Sequence, residues 1–381
     1  MKRLTALLVC LCLILGLCAC GDTAQTQAPG TEAPASAVPE TEAPATETPA
    51  TEAPADAEAF VFTDSVGREV TLPREIQRIA VSGPLAQMVV FAIAPDLLVG
   101  IASEWDPSAE EYLDTEYYNL PILGQLYGGQ GEMNLEELLA ADPQVVIDVG
   151  ETKDSVKEDL DALQEQTGIP FVHISATLET YPETYRMLGE LLNRQEEAET
   201  IASFCAETYN TISTSLEGVE RVKALYITGS EGLNVIAKGS YHAEVLDLLT
   251  DNQAVVDEPS SRGTGNEVDM EQLMNWDPDY IIFSPDSIYD TLDQYPAYQA
   301  LKAISSGNYA KTPMGPYNWM GFPPSVQRYL GMLWMAKLLY PDMMPYDLYE
   351  EVAEYFQLFY HCDLTQEQFD ALMGDSLDQV S

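Results

Sequence analysis

Basic residues are scarce in this sequence, which carries 17 Lys and Arg against 62 Asp and Glu, a formal net charge of −45 at pH 7. A surface that binds nucleic acid needs a basic stripe, so this balance argues against a nucleic-acid partner. It also argues against adhesion to anionic lipid through a polybasic patch. Histidine is nearly absent, with copies only at His173, His242 and His361, which argues against a histidine-rich metal site.

The common motifs of catalysis are also missing. We find no Walker loop, no G-x-S-x-G, no H-E-x-x-H and no C-x-x-C pair. The many carboxylates could supply a catalytic pair, but nothing in their spacing selects one. We therefore expect no enzyme and no cofactor. Hydrophobic residues make up 46% of the chain, which permits a sizeable core, and 381 residues suit two domains.

The N-terminal sequence indicates where in the cell the protein is located. Lys2 and Arg3 precede an apolar run from Leu4 to Leu17, which is shorter than the roughly 20 residues of a membrane span and fits a secretory signal. The run ends Leu-Cys-Ala-Cys at Cys20, which resembles the bacterial lipobox. That resemblance implies that residues 1–19 are a signal peptide and that Cys20 carries a lipid. We expect the protein on the extracytoplasmic face of the cell membrane.

Residues 20–58 contain no candidate core. The sequence TEAPA begins at Thr31, Thr41 and Thr51, a ten-residue period. Pro, Ala, Thr and Glu bury too little surface to offset chain entropy, and prolines with like charges favour an extended chain. The segment is predicted to be a disordered linker that follows the lipid anchor.

Two cysteines remain beyond the linker, Cys205 and Cys362. In an exported protein two cysteines can form a disulfide. They can equally remain as free thiols, which are common in helix cores. The sequence leaves both possibilities open.

The remaining residues, 59–381, alternate short β-type runs with helical patterns. Two such runs flank the turn at Ser65–Gly67, which predicts a hairpin over residues 60–72. Buried-strand patterns follow at residues 78–81 and 98–101, with a helix between them. Alternating strands and helices predict an α/β fold with mainly parallel sheets. A final helical region is predicted over residues 324–374.

One unit occurs twice. Asn134 begins a short helix that carries Glu136, ends in Asp-Pro and leads into an apolar strand. Asp269 begins a second copy that carries Glu271, 135 residues further on. That distance is too large for a solenoid repeat, so the copies indicate two related lobes.

A single connector is predicted between the lobes. From Pro182 to Leu216 the apolar residues are spaced by three and four, the pattern of an amphipathic helix. At 1.5 Å per residue such a helix would be roughly 50 Å long. We therefore predict an N-terminal lobe over residues 59–178, one long connecting helix over 179–218, and a C-terminal lobe over 219–381.

Taken in order, the lipobox, the hairpin, the two Glu-to-Asp-Pro units and the long connector resemble one family. It is the helix-backbone (class III) solute-binding lipoprotein of bacterial ABC importers for iron-siderophores, haem and cobalamin. Residues 319–328 and 334–341 also look like that family's C-terminal lobe. The resemblance implies two lobes with a ligand cleft between them. It also implies delivery of the ligand to a two-subunit permease driven by cytoplasmic ATPases.

In open α/β sheets the ligand lies beyond the carboxyl ends of the strands. Aromatic side chains there would offer flat faces to a chelate or macrocycle, unless they pack beneath loops. Arg262 would meet a carboxylate or catecholate, and Tyr241 or His242 would ligate a metal, although the sequence names no metal. The expected ligand-binding residues are Ser82, Trp105, Tyr127, Glu151, Ser230, Tyr241, His242, Arg262, Tyr317 and Trp319.

The family docks on its permease through one exposed glutamate in each lobe. Residue by residue, the resemblance carries this role to Glu136 and Glu271. The expected cargo is an iron complex, either a siderophore or haem, or cobalamin. A bare transition metal or a molybdate-like oxyanion is the alternative ligand for the same fold. An extracellular enzyme or adhesin is a second alternative.

Overall fold

The structure, a computed structural model, describes residues 59–126 and 133–380. The predicted signal peptide, Cys20 and the linker lie outside the described residues, as does Tyr127. Those predictions are not tested by the fold.

The first lobe is built on a parallel sheet in the order β3–β4–β5, next to an antiparallel hairpin of β1 and β2. The predicted hairpin is confirmed. The predicted strand at residues 98–101 is reduced to isolated bridges from Leu98 and Ile101. Ile101 runs beside Pro121, which has no N–H with which to extend a ladder. The elements are β1 Ala59–Thr63, β2 Glu69–Pro73, β3 Ile79–Val81, α1 Pro84–Ile93, α2 Thr115–Tyr118, α3 Leu135–Ala141, β4 Val145–Gly150, α4 Val156–Thr167 and β5 Phe171–Ser175.

The connector is two helices, α5 Tyr181–Leu192 and α6 Gln195–Ser215, so the prediction of one long helix is wrong. Asn193 lies between them with φ 57°, a left-handed conformation that asparagine tolerates. The chain then folds back: a Cβ added at Gly189 would come within 2.5 Å of the Ala198 Cβ. Apolar residues spaced by three and four indicate the buried face of a helix. Two packed helices and one straight helix both produce this spacing, so the pattern does not distinguish them.

The second lobe contains the larger sheet, in the order β11–β10–β6–β7–β9, with β8 also pairing with β6. Strands β6, β8, β10 and β11 run parallel, and β7 is antiparallel to both of its neighbours, β6 and β9. The predicted α/β fold of two lobes with mainly parallel sheets is confirmed. The elements are β6 Lys223–Thr228, β7 Asn234–Val235, α7 Glu244–Leu249, β8 Asp251–Asn252, β9 Asn266–Glu267, α8 Met270–Trp276, β10 Tyr280–Phe283, α9 Lys302–Ser305 and β11 Tyr309–Lys311.

The C-terminal region is helical, as predicted, and it completes a core shared by both lobes. Its helices are α10 Arg328–Leu339, α11 Leu348–Tyr360, α12 Gln366–Met373 and α13 Leu377–Val380. One apolar cluster includes Phe91 on α1, Tyr185 on α5, Trp334 on α10 and Phe356 on α11, all fully buried. This shared core joins the lobes along their helices. The two cysteines of the described residues are both free, and burial raises the pKa of the Cys205 thiol.

The repeated unit has the same local structure in both lobes. The side chain of Asn134 caps α3, and the side chain of Asp269 caps α8. Each helix has seven residues and ends at an aspartate in the left-handed conformation. Each then leads into a strand, β4 or β10, that pairs in parallel with the first strand of its own sheet. Glu136 and Glu271 therefore occupy corresponding, exposed positions.

Candidate functional site

The carboxyl-end loops of the first sheet contact the second lobe directly. The Tyr241 hydroxyl donates to the Ala176 carbonyl at 2.7 Å. The Tyr329 hydroxyl donates to the Leu178 carbonyl at 2.6 Å. Ala176 directly follows β5, so the edge of the first sheet at which a ligand is expected faces the second lobe.

Arg328 is the centre of this contact. Its guanidinium is fully buried and lies 4.6 Å from the centre of the Tyr241 ring. Nη1 donates to the Tyr241 carbonyl at 2.8 Å and lies 2.7 Å from Glu244 Oε2. The same carboxylate oxygen accepts the Leu178 N–H at 3.0 Å. A buried charge paired in this way ties the second lobe to the chain that leaves the first lobe.

A small recess, open to solvent, lies at the carboxyl end of the second sheet. Its wall combines hydroxyls, one imidazole, one carboxylate and one exposed aromatic ring. The lining residues are Tyr226, Thr228, Ile236, His242, Gly263, Thr264, Ser284, Asp286, Gly321 and Phe322.

His242 is the titratable base of this recess and is only 9% exposed. Its Nδ1–H donates to the Gly321 carbonyl at 3.0 Å, because a carbonyl can only accept. Burial lowers the pKa of His242, while the carbonyls of Gly321 and Ser261 and the Glu151 carboxylate oppose that effect in part. The lowered pKa favours the neutral ring at pH 7, and the bond to Gly321 places a proton on Nδ1. Glu151 belongs to the first lobe, and because it acts on the pKa of His242, that lobe lies close to the imidazole.

The polar wall of the recess is held in fixed orientations. The Asn318 amide nitrogen donates to the Tyr226 hydroxyl at 3.0 Å and to the Ser284 hydroxyl at 3.2 Å. The Thr228 hydroxyl donates to the Thr264 carbonyl at 2.8 Å. Burial raises the pKa of Tyr226, so its hydroxyl stays protonated. A ligand here meets neutral donors and acceptors that are already in place.

Phe322 is a site residue that the sequence analysis missed. Its side chain is 57% exposed and lines the recess. A Cβ added at Gly263 would come within 2.5 Å of the Phe322 ring, so only glycine fits at that point. Phe322 stands between Gly321 and Pro323, which marks it as a loop residue. An aromatic residue between glycine and proline in a loop is the sequence signal by which Phe322 could have been identified.

The corresponding edge of the first sheet carries a hydrogen-bonded chain of side chains. Asp148 accepts from the Ser82 hydroxyl and, at 2.6 Å, from His173 Nδ1. His173 Nε2 lies 3.0 Å from the Thr152 hydroxyl, which lies 2.5 Å from the Ser175 hydroxyl. Asp148 and His173 are buried, whereas Thr152 is exposed. These side chains satisfy one another's hydrogen-bonding groups, and the hydroxyl of Thr152 is exposed.

Three predicted aromatic contacts are buried, and the expectation that they offer flat faces to a ligand is wrong for this structure. Trp319 is fully buried, and its Nε1–H donates to the Gly315 carbonyl at 3.0 Å. Trp105 is buried, and its Nε1–H donates to the Tyr117 carbonyl. Tyr317 packs against Trp105 with ring centres 6.1 Å apart. An indole N–H needs a partner when it is buried, and the core supplies one in each case.

The other predicted ligand residues divide into three groups. Tyr241 and His242 lie together at the contact between the lobes, with Glu151 close to His242. Ser82 is buried and donates to Asp148, as described above. Ser230 and Arg262 are exposed, and Arg262 adjoins the lining residue Gly263.

In residues 59–126 and 133–380, no group of three His, Cys, Asp or Glu side chains could hold a metal ion. In the same part of the chain, no helix has the length and apolar character that crossing a membrane requires.

Comparison with known proteins gives consistent matches. A family model described as periplasmic binding protein matches residues 105–314, more than half of the chain. The molybdate-binding protein MolA of Haemophilus influenzae is 22% identical over 332 residues, which cover 79% of this chain and 90% of MolA. An ABC transporter solute binding protein from Sulfurospirillum deleyianum has a TM-score of 0.74 at 29% identity, covering 82% of this chain and 98% of that one.

A periplasmic solute binding protein from Veillonella parvula matches with a TM-score of 0.68 at 27% identity, covering 84% of this chain and 98% of that chain. These matches confirm the class of protein indicated by the sequence resemblance. The carboxyl-end loops of the first sheet contact the second lobe, and the recess around His242 lies at the carboxyl end of the second sheet. The chain belongs to the periplasmic binding protein family.

Proposed function

We propose that this chain is the substrate-binding protein of an ABC importer, anchored through Cys20 on the extracytoplasmic face of the membrane. Its cargo is a compact metal complex, of which a small iron chelate is the leading candidate. The observation that carries this proposal is the recess at His242. A neutral imidazole suits a metal that still has an open coordination position.

The size of the recess favours a compact ligand. The space that water can occupy inside it is about 20 Å³, room for one or two water molecules, so the recess as it stands admits a compact group rather than a broad one. Haem and cobalamin need broad apolar surfaces, but Trp105, Tyr317 and Trp319 are buried in the core. Phe322 is the aromatic ring exposed at this recess. We therefore favour a small chelate over haem or cobalamin.

The negative charge around the recess favours a metal complex as the ligand. Asp286 lines the recess, and Glu151 acts on His242 from the first lobe. These carboxylates add to the negative potential of a chain with formal charge −45. Such a potential lowers the local concentration of anions, so neutral or cationic complexes are favoured. Arg262 is the nearby exposed cation that could oppose this field.

A molybdate-like oxyanion is the second candidate. Its support is the molybdate-binding protein MolA among the relatives, together with the hydroxyls of Thr264 and Ser284 in the recess. Hydroxyl groups can donate to an oxyanion without carrying charge. The nearby carboxylates count against this ligand.

Titration of the purified protein separates these candidates. Tryptophan fluorescence is followed while a ferric hydroxamate, molybdate, haem or cyanocobalamin is added. We expect saturable binding of the ferric hydroxamate, lost in His242→Ala and kept in the matched control His361→Asn. His361 is exposed and lies outside the recess. Binding of molybdate alone would replace the first candidate with the second, and tight haem binding would contradict the argument from size.

Docking on the permease is the second part of the proposed function. Glu136 and Glu271 are exposed at the same position of α3 and α8, which supports one contact in each lobe. The double variant Glu136→Ala with Glu271→Ala should bind ligand normally but fail to stimulate the importer's ATPase. The control is Glu137→Ala with Gln272→Ala, one residue further along each helix. Full stimulation by the first variant would contradict this docking role.

A further inference from the structure

A second cavity lies between the connector helix α6 and the C-terminal helices α10 and α11. The space that water can occupy inside it is about 110 Å³, against about 20 Å³ in the recess around His242. The two cavities share no lining residue. On α6 the lining residues follow one helix face at Phe204, Glu207, Thr208 and Thr211. Glu351 and Glu354 on α11 also line the cavity.

The three carboxylates of this cavity have no cationic partner in the part of the chain that the structure describes. Glu207 and Glu354 are exposed, whereas Glu351 is partly buried. Burial raises the pKa of Glu351, and the charges of Glu354, Glu207 and Glu350 raise it further. The cavity therefore concentrates negative charge that a bound cation would neutralise.

Thr208 is an independent sign that a ligand belongs in the cavity. The residue is only 5% exposed, and it lines the cavity. Thr200 and Ser213 on the same helix donate their hydroxyls to the carbonyl four residues earlier. The Thr208 hydroxyl forms no such bond, and it has no other hydrogen-bond partner among the described residues. A buried hydroxyl without a partner is unfavourable, so a group inside the cavity should complete its bonding.

A neighbouring basic side chain is engaged elsewhere. Lys337 on α10 donates to the Tyr346 carbonyl at 3.3 Å and lies 5.9 Å from the centre of the Tyr346 ring. The Tyr346 hydroxyl donates to the Leu333 carbonyl at 2.7 Å, which holds the ring against α10. Tyr346, Leu333 and Phe204 form an apolar wall of the cavity. An apolar and aromatic wall beside carboxylates suits an alkyl chain that carries positive charge.

We propose that this cavity binds a short alkane diamine in its doubly protonated form. One ammonium group pairs with Glu351 and donates to the Thr208 hydroxyl, since an ammonium has three N–H donors and both groups can accept. The alkyl chain lies along the apolar wall, and the second ammonium group lies near Glu207 and Glu354. Such a ligand joins α6 to α11. It is separate from the imported cargo, so this inference does not rest on the proposed function.

A metal ion is the less suitable occupant. In the described ranges, no group of three His, Cys, Asp or Glu side chains could hold one, so these three carboxylates do not converge on a metal position. A diamine carries its two charges several carbons apart. It can therefore meet carboxylates that do not converge on one point.

Isothermal titration calorimetry of the purified full chain with 1,4-diaminobutane at physiological salt tests the proposal. We expect one saturable site, weakened by about tenfold or more in Glu351→Gln, which keeps the shape and removes the charge. Thr208→Val should weaken binding by about three- to fivefold, because it removes one hydrogen bond. Glu350→Gln, a neighbouring residue of α11 that does not line the cavity, is the matched control and should change affinity by less than about threefold. His242→Ala should leave amine binding unchanged.

Thermal unfolding without amine separates a binding role of Glu351 from a structural one. Burial disfavours the ionised form of this carboxylate, so Glu351→Gln should unfold at the same temperature as the wild type or higher. A lower melting temperature together with unchanged amine affinity would make Glu351 a structural residue and overturn the site.

The remaining outcomes also decide the proposal. Equal affinity for 1-aminobutane would overturn the part assigned to the second ammonium group. Equal binding of Mg²⁺, or equal diamine binding in Glu351→Gln and the wild type, would show attraction of counter-ions to an acidic surface and overturn the site. Loss of diamine binding in His242→Ala would place the amine in the recess instead.

Discussion

The two lobes are alike on their outer helices and different at the edges that face each other. Helices α3 and α8 match in length, cap, exposed glutamate and final aspartate. At the sheet edges the match ends. The first lobe has the chain from Asp148 to Ser175, whereas the second has the recess around His242. We infer that α3 and α8 contact the same kind of partner in both lobes. The sheet edges that face each other have different roles in the two lobes.

The inner edges differ in how far their polar groups are already satisfied. In the first lobe, His173 is held between Asp148 and Thr152, and Thr152 also contacts Ser175. In the second lobe, His242 Nδ1 donates to the Gly321 carbonyl and the Ser261 carbonyl also acts on the ring, while the ring lines a recess that is open to solvent. A ligand gains most from groups that are fixed in place and still have bonding capacity. We therefore expect ligand selection to depend mainly on the open recess of the second lobe.

The largest expected effect comes from breaking the contact between the lobes. Arg328→Met removes the buried partner of Glu244 and the cation above the Tyr241 ring. Loss of one member of a buried ion pair costs about 3–5 kcal/mol, so urea unfolding should show a decrease of that size in the free energy of unfolding. The exposed Arg262→Met is the control and should change it by less than about 0.5 kcal/mol. Equal effects in the two variants would contradict the role of Arg328.

The next effect compares the two inner edges directly. His242→Ala should weaken binding of the ferric hydroxamate by at least tenfold, because it removes the base of the recess. Thr152→Val, which keeps the shape and removes the hydroxyl, should weaken it by less than threefold. Isothermal titration calorimetry of both variants measures the difference. A larger loss in Thr152→Val would transfer ligand selection to the first lobe.

An intermediate effect is expected at the mouth of the recess. Phe322→Ala removes an exposed ring, so the melting temperature should hardly change while ligand affinity decreases several-fold. Met343→Ala, exposed by 45% and not a lining residue, is the matched control for loss of an exposed apolar side chain. Unchanged affinity in Phe322→Ala would show that the ligand does not reach the ring.

The smallest effect concerns pH. Burial lowers the pKa of His242 in the fold, while the unfolded chain titrates near the ordinary value of about 6.5. Below that pH the unfolded state binds the proton first, so stability decreases as pH falls and levels off once the folded group is protonated. Arg328 supports this lowering and Glu151 opposes it. Urea unfolding between pH 7.5 and 5.5 should therefore show a smaller loss of stability in His242→Gln than in the wild type; an equal loss would contradict the shift.

Much of the fold could be predicted because it depends on local patterns. The hairpin, the strand predicted at residues 78–81 and the two capped helices follow from alternation, spacing and capping chemistry, and the structure confirms them. The connector could not be predicted, because its periodicity fits one helix or two. The break depends on Asn193 and on the close approach of Gly189 to Ala198.

The candidate site was harder to predict, because it depends on burial. Sequence can place Trp319 beyond a strand end, but it cannot show whether the ring faces solvent or packs into the core. The same limit applies to Phe322, which is exposed although it is strongly apolar. His242 was named as a candidate because it is polar, rare and close to a predicted strand end, and in the structure it lines the recess. Its neighbours Thr228 and Ser284 are common residue types that carry no such signal.

Hydrogen–deuterium exchange with and without saturating ferric hydroxamate tests the central claim most directly. We expect the ligand to protect backbone amides from exchange mainly in the second lobe, at residues 241–243, 261–264 and 320–322. Protection of residues 150–152 and 173–175 should be weaker. Strong protection confined to those first-lobe residues, with none near His242, would contradict the assignment of ligand selection to the second lobe.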